Sequence, residues 1–159
     1  QVGLKLKKAL ESLGAEVVMT REEHGVDISN ADRARMMNTA KVDCWLRIHA
    51  NGSDNPDMLG MFMLVPARGS MATDDPNVQE KSAVLADTLL KAALNSTGAV
   101  SLGVKFRSDQ TGFGWSEVPV CTIEMGHMTN KTEDFRLVSE SYQEKIVRGL
   151  TEGFIAYFQ

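Results

Sequence analysis

The sequence predicts a single α/β domain, residues 1–159, with a mostly parallel twisted sheet and helices on both faces. Three observations predict it. Helix-periodic and strand-like segments alternate along the chain. The strand-like segments are apolar throughout, as strands buried on both faces are. No internal repeat, low-complexity tract or linker divides the 159 residues, a length that makes about one domain and can bury roughly two thirds of the unfolded surface.

The first segment, "QVGLKLKKALESLG", spaces Val2, Leu4, Leu6, Ala9, Leu10 and Leu13 three and four apart, which predicts an amphipathic helix stopped by Gly14. The chain opens inside this helix with no capping residue ahead of it. A sheet of this class usually has a strand there, so a strand upstream of Gln1 is expected. "AEVVMT" predicts a short strand over Glu16–Met19. "DISNADRARMMNTAKV" predicts a helix capped by Ser29 or Asn30, with Asp32 in its first turn. Two apolar strands, Cys44–Ile48 and Met61–Val65, flank a polar segment. A long amphipathic helix starting at Asn77 follows, with Leu85, Ala86, Leu89 and Leu90 on its apolar side. The stretch from Gly98 to Glu117 is rich in Gly and Ser and suits a functional loop, part of which can be strand. "VPVCTIEMG" predicts an unbroken strand over Val120–Ile123, and a helix from Ser141 closes the chain.

Composition excludes some functions. A net charge of −4 leaves no basic stripe to neutralise phosphates, so no nucleic-acid partner is expected. No apolar run approaches the roughly 18 residues of a membrane-spanning helix. No leader segment is visible, although a chain beginning at Gln1 can have lost one. Cys44 and Cys121 each sit in an apolar run and read as free thiols, not as a disulfide framework or a thiolate cluster.

Ligands of open α/β sheets collect at strand carboxyl ends. Two polar residues stand at such ends, His49 after "CWLRI" and Glu124 after "VPVCTI". Together they suit a metal ligand and a base of a zinc hydrolase. Each also has a plainer reading, the histidine as a strand-end residue and the glutamate as an arginine's partner.

The run "LKLKKALESLGAEVVMTREE…ISNADRARMMN…VDCWLRIHANGS…LGMFMLVP" resembles the zinc-dependent N-acetylmuramoyl-L-alanine amidases of bacterial cell walls. "SLGVKFRSDQTGFGWSEVPVCTIEMGHMTNKTEDFRL" is similar to the family's closing segment, where a proline-led strand carries Glu-x-Gly and is followed by an Asn and an acidic residue. The resemblance spans essentially the whole chain. It implies hydrolysis of the amide between N-acetylmuramic acid and the L-alanine of the stem peptide, with Zn2+ as cofactor and peptidoglycan as partner. A secreted, cell-wall or periplasmic location follows from that substrate. It assigns His49 as a zinc ligand, through Ile-His-Ala-Asn, and Glu124 as the catalytic glutamate. Arg21 and Arg33 match family arginines, with Arg33, on a helix, read as a structural ion-pair partner ahead of a substrate contact.

The family's other two zinc ligands, a His near its first strand and a Glu before its first helix, have no counterpart in residues 1–159. The chain is therefore expected to be an amidase domain incomplete at its N-terminus and inactive as it stands. The alternative is a metal-free, non-catalytic wall-binding or regulatory domain of the same fold. His127 replaces the phenylalanine that many relatives carry after Glu-x-Gly, and reads either as a group near the metal or as a packed loop histidine. His24 reads as exposed. Phe113 and Trp115 can stack on sugar or pin their loop. The nine methionines, Met36, Met37, Met61 and Met63 among them, mostly fall on core positions.

Overall fold

A computed structural model describes residues 1–73 and 75–159. Its elements are α1 (Val2–Glu11), α2 (Asn30–Ala40), β1 (Trp45–Asn51), β2 (Met61–Pro66), α3 (Pro76–Thr97), β3 (Ser101–Arg107), α4 (Thr111–Gly114), β4 (Val120–His127), α5 (Lys131–Val138) and α6 (Glu140–Phe158). The strands form one sheet in the order β1-β4-β2-β3. β1 is parallel to β4 and β2 to β3, while β2 and β4 meet antiparallel. The sheet is mostly parallel, as expected, with one antiparallel seam in the middle.

Alternate side chains of a strand point to opposite faces. Met61, Met63, Val65, Cys121 and Ile123 face one way, under Val2 and Leu6 of α1, Leu85 and Leu89 of α3, and Ile146 and Leu150 of α6. Trp45, Phe62, Leu64 and Val120 face the other, against Ala34 and Met37 of α2 and Phe113 of α4. Both faces are covered, which explains why the strands read as continuous apolar runs. Caps define the helices. Ser29 accepts from the Asp32 N–H, Asp75 from the Asn77 N–H beside Pro76, and Ser139 from the Tyr142 N–H. Gly98 ends α3 in the left-handed conformation.

The structure corrects two expectations. Residues Glu16–Met19, expected as a strand, lie outside the sheet. The run has the β-branched composition of a strand, but strand propensity is realised only against a pairing neighbour, and none of the described strands pairs with it. The stretch from Gly98 to Glu117 is largely ordered as β3 and α4, not a long loop. α1 ends at Glu11, and Gly14 closes the following turn in the left-handed conformation with the Ala15 N–H donating to the Leu10 carbonyl, as the stop expected at Gly14 requires.

Candidate active site

Both strands that carry the candidate residues run further than expected. β1 continues to Asn51 and β4 to His127, so His49 and Glu124 lie inside strands. They are direct register partners in the parallel β1–β4 pair. The register slips immediately afterwards, between His49 and Asn51, a bulge of the kind that re-aims side chains beside a site. Alternation places Arg47, His49, Thr122 and Glu124 on the face covered by α2 and α4.

Glu124 is 8% exposed, and its Oε2 is buried without a hydrogen-bond partner. Burial pushes its carboxyl up to about 7, against the opposing pull of the Arg47 charge. His49 is exposed. Partial loss of hydration, and then the positive charges of Arg47, Arg33 and Arg21, hold its pKa below the ordinary histidine value. A neutral imidazole keeps a ring lone pair for a metal ion.

Arg47 was not among the expected site residues, although a charge inside an apolar run is a signal that a buried partner exists. Its guanidinium is 8% exposed and donates to Gln110 Oε1 at 3.0 Å, Thr122 Oγ1 at 3.2 Å and Asn30 Oδ1 at 3.3 Å. It ties α2, β4 and the start of α4 to the strand that carries His49. A Cβ at Gly112 would stand 3.2 Å from Arg47 Cζ, so a larger residue there would press on the guanidinium that α4 packs against.

His127 is 1% exposed and packs against Phe62, with ring centroids 6.0 Å apart. The Asn51 amide lies 3.1 Å from its Nε2. Glu133 of α5 lies behind it, with Oε2 3.5 Å from Nδ1. The Glu133 carboxylate accepts the His127 N–H at 2.8 Å and the Gly60 N–H at 3.0 Å. Gly126 has φ +154°, and a Cβ there would meet the Glu133 carboxyl at 3.3 Å, which explains the glycine of Glu-x-Gly. The packed reading of His127 therefore describes its position. Glu133 was missed by the sequence reading, although Asn130-x-x-Glu133 is a helix-start pattern whose Asn130 side chain does accept from the Thr132 and Glu133 N–H groups.

His24 is exposed. Phe113 is fully buried, and Trp115 is pinned under the Arg35 guanidinium, 4.5 Å from the ring centroid, with its carbonyl accepting from the Asn38 amide. Cys44 and Cys121 are free, and burial pushes the Cys44 thiol up to about 12.

The chemistry of the pair suits a divalent cation and a water beside it: one neutral imidazole, and one carboxyl with an uncommitted buried oxygen. It does not make a closed site. Among the described residues no group of three or more His, Cys, Asp and Glu side chains could hold a metal ion.

A family model described as N-acetylmuramoyl-L-alanine amidase matches residues 1–156. No curated protein matches the sequence. The catalytic domain of an N-acetylmuramoyl-L-alanine amidase from Bacillus (Paenibacillus) polymyxa var. colistinus superimposes with a TM-score of 0.85 at 21% identity, over 99% of this chain and 80% of that one. The corresponding amidase of Mycobacterium smegmatis gives 0.87 at 22%, over 98% and 73%. That of Nostoc punctiforme gives 0.83 at 23%, over 99% and 81%. At such identities these likenesses show a shared fold.

Proposed function

The chain belongs to the N-acetylmuramoyl-L-alanine amidase family, and from that premise we propose that it carries the catalytic half of a zinc-dependent peptidoglycan amidase site. The bond cleaved is the amide joining the lactyl group of N-acetylmuramic acid to L-alanine. His49 is a metal ligand and Glu124 the general base and acid. The observation that carries this reading is the direct pairing of His49 with a buried carboxyl whose pKa lies near neutrality.

Zinc, when bound, supplies Lewis-acid polarisation of the amide carbonyl and makes a water more acidic. The chain's own residues do the rest. His49 offers a neutral ring nitrogen. Glu124 takes a proton from the attacking water on its free oxygen and returns it to the departing alanine nitrogen. A carboxyl pKa near the working pH suits both halves of that transfer. Arg47 fixes the position of β1 against β4 and supplies a positive charge that moderates the rise in the Glu124 pKa.

The substrate places the activity at the cell wall, outside the cytoplasmic membrane, in wall remodelling or lysis. No helix among the described residues is long and apolar enough to cross a membrane. The competing reading, a metal-free wall-binding domain, draws on the finding that among the described residues no group of three or more His, Cys, Asp and Glu side chains could hold a metal ion.

Zinc content and turnover of purified wall fragments separate the two. In a zinc-loaded enzyme, Glu124→Gln should abolish release of L-alanine amino termini and retain zinc, while His49→Ala should lose zinc. A Glu124→Gln variant with undiminished turnover would sink the assignment.

A further inference from the structure

We propose that this face of the sheet holds its substrate by an anionic group, and that Lys105 and Arg33 select stem peptides whose second residue keeps a free α-carboxylate. The inference rests on the amidase reading and goes on to name the form of substrate. The stem's second residue is a glutamate that continues the peptide through its γ-carboxyl. Its α-carboxyl is therefore either a free anion or a neutral amide, one extended residue, about 3.5 Å, beyond the alanine.

The chain as a whole is acidic, with a net charge of −4. The face carrying His49 and Glu124 is not. Arg47 lies beside them in β1, Arg33 stands on α2 above β1 and Lys105 stands over Phe62 of β2, and among the described residues none of the three is ion-paired. Arg47 is buried on neutral partners only.

Arg33 lies one helical turn beyond Asn30, the α2 residue bound to Arg47. Its Nε donates to the Ile28 carbonyl at 2.9 Å, which anchors the side chain and leaves the two terminal nitrogens without partners among the described residues. On the other side, Lys105 Nζ stands 4.0 Å over the ring of Phe62, whose backbone partner in the sheet is Glu124. An aromatic face holds an ammonium group in place without neutralising it. Two anchored, unpaired cations flanking a substrate site favour a carboxylate over a carboxamide, because only the carboxylate makes charge-assisted hydrogen bonds.

Binding to the metal-free chain tests this without relying on turnover. Two N-acetylmuramoyl-tripeptides, identical except for an α-carboxylate or an α-carboxamide on the second residue, are titrated in by NMR at low and high salt. The carboxylate ligand should bind about tenfold tighter at low salt, which corresponds to about 1.4 kcal/mol. The preference should shrink as salt screens exposed charges. Lys105→Gln should reduce it and Lys105→Glu should remove or reverse it, with the carboxamide ligand little changed. Arg33→Gln, checked for folding by its melting curve, should also reduce it. Equal affinity for the two ligands, or a preference that survives Lys105→Glu, overturns the inference and leaves the amidase reading standing. Failure of both ligands to bind overturns this inference, while the amidase reading is tested separately by zinc content and turnover of the zinc-loaded enzyme.

Discussion

At the scale of single residues, Glu124 is where burial and chemistry pull against each other. A carboxyl that is 8% exposed, with one oxygen unpartnered, is held up to about 7 because ionisation in that place has little hydration to draw on. The folded chain therefore binds a proton there more tightly than the unfolded chain, whose ordinary carboxyl value is 4.5. Stability must fall as pH rises from about 4.5 to about 7 and then level off, because the native state carries the extra proton across that interval. In the metal-free chain, Glu124→Gln should remove the penalty. Urea unfolding with chelator present should show a variant more stable than the parent at pH 8, by up to about 3 kcal/mol, and no such advantage at pH 4. A stability difference that does not change with pH would show that the carboxyl ionises freely. His49 and Glu124 were legible in the sequence because each interrupts an apolar run. Their pairing was not, because register depends on which strands become neighbours. Arg47 sends the same signal as His49, but its role depends on Gln110, Thr122 and Asn30, distant in sequence and visible only once folded.

At the scale of elements, the best-read segments are those whose side chains are buried on both faces or whose caps are explicit. β2 is buried at every position, and α2, α3 and α6 each begin on a side chain that accepts from the first turn. β3 was hidden because its side chains are exposed or half-buried, with no alternation for a pattern to follow. α5 was hidden because it is eight residues long, mostly polar, and held by Glu133 reaching to the backbone of Gly60 and His127. The α3–α6 contact is a further case that composition alone does not display. A Cβ at Gly149 would stand 2.7 Å from the Ala93 Cα and 2.8 Å from the Ala92 carbonyl oxygen, both backbone atoms that cannot swing aside. Gly149→Ala should gain about 1 kcal/mol in helix propensity but force the helices apart, and overpacking of that kind costs about 1–3 kcal/mol. A lower midpoint in thermal or urea unfolding is expected, while Glu152→Ala, exposed on the same helix, should change little. An unchanged midpoint in Gly149→Ala would mean the two helices can slide at no cost.

At the scale of the whole molecule, the fold brings one imidazole and one uncommitted carboxyl oxygen to paired positions within two parallel strands, beside cations that have no ion-pair partner among the described residues. Tight zinc binding needs several deprotonated ligands in fixed geometry, and a single imidazole supplies neither the number nor the enclosure. The nearest substitute is His127, three residues beyond Glu124. The fold withholds it: the ring is buried, with the Asn51 amide at one nitrogen and Glu133 beyond the other. Recruiting it would break the link between β1 and β4 and expose the Glu133 carboxylate that Gly60 and His127 now satisfy. A polypeptide of residues 1–159 should therefore bind zinc only weakly by calorimetry and show no measurable amidase turnover. Appending an N-terminal segment that carries a His and a Glu in the family's ligand positions should convert this to tight, equimolar binding that His49→Ala abolishes and His127→Phe leaves intact. Tight binding by residues 1–159 alone, lost on His127→Ala, would instead place the metal between the two histidines and require the strand ends to rearrange around it.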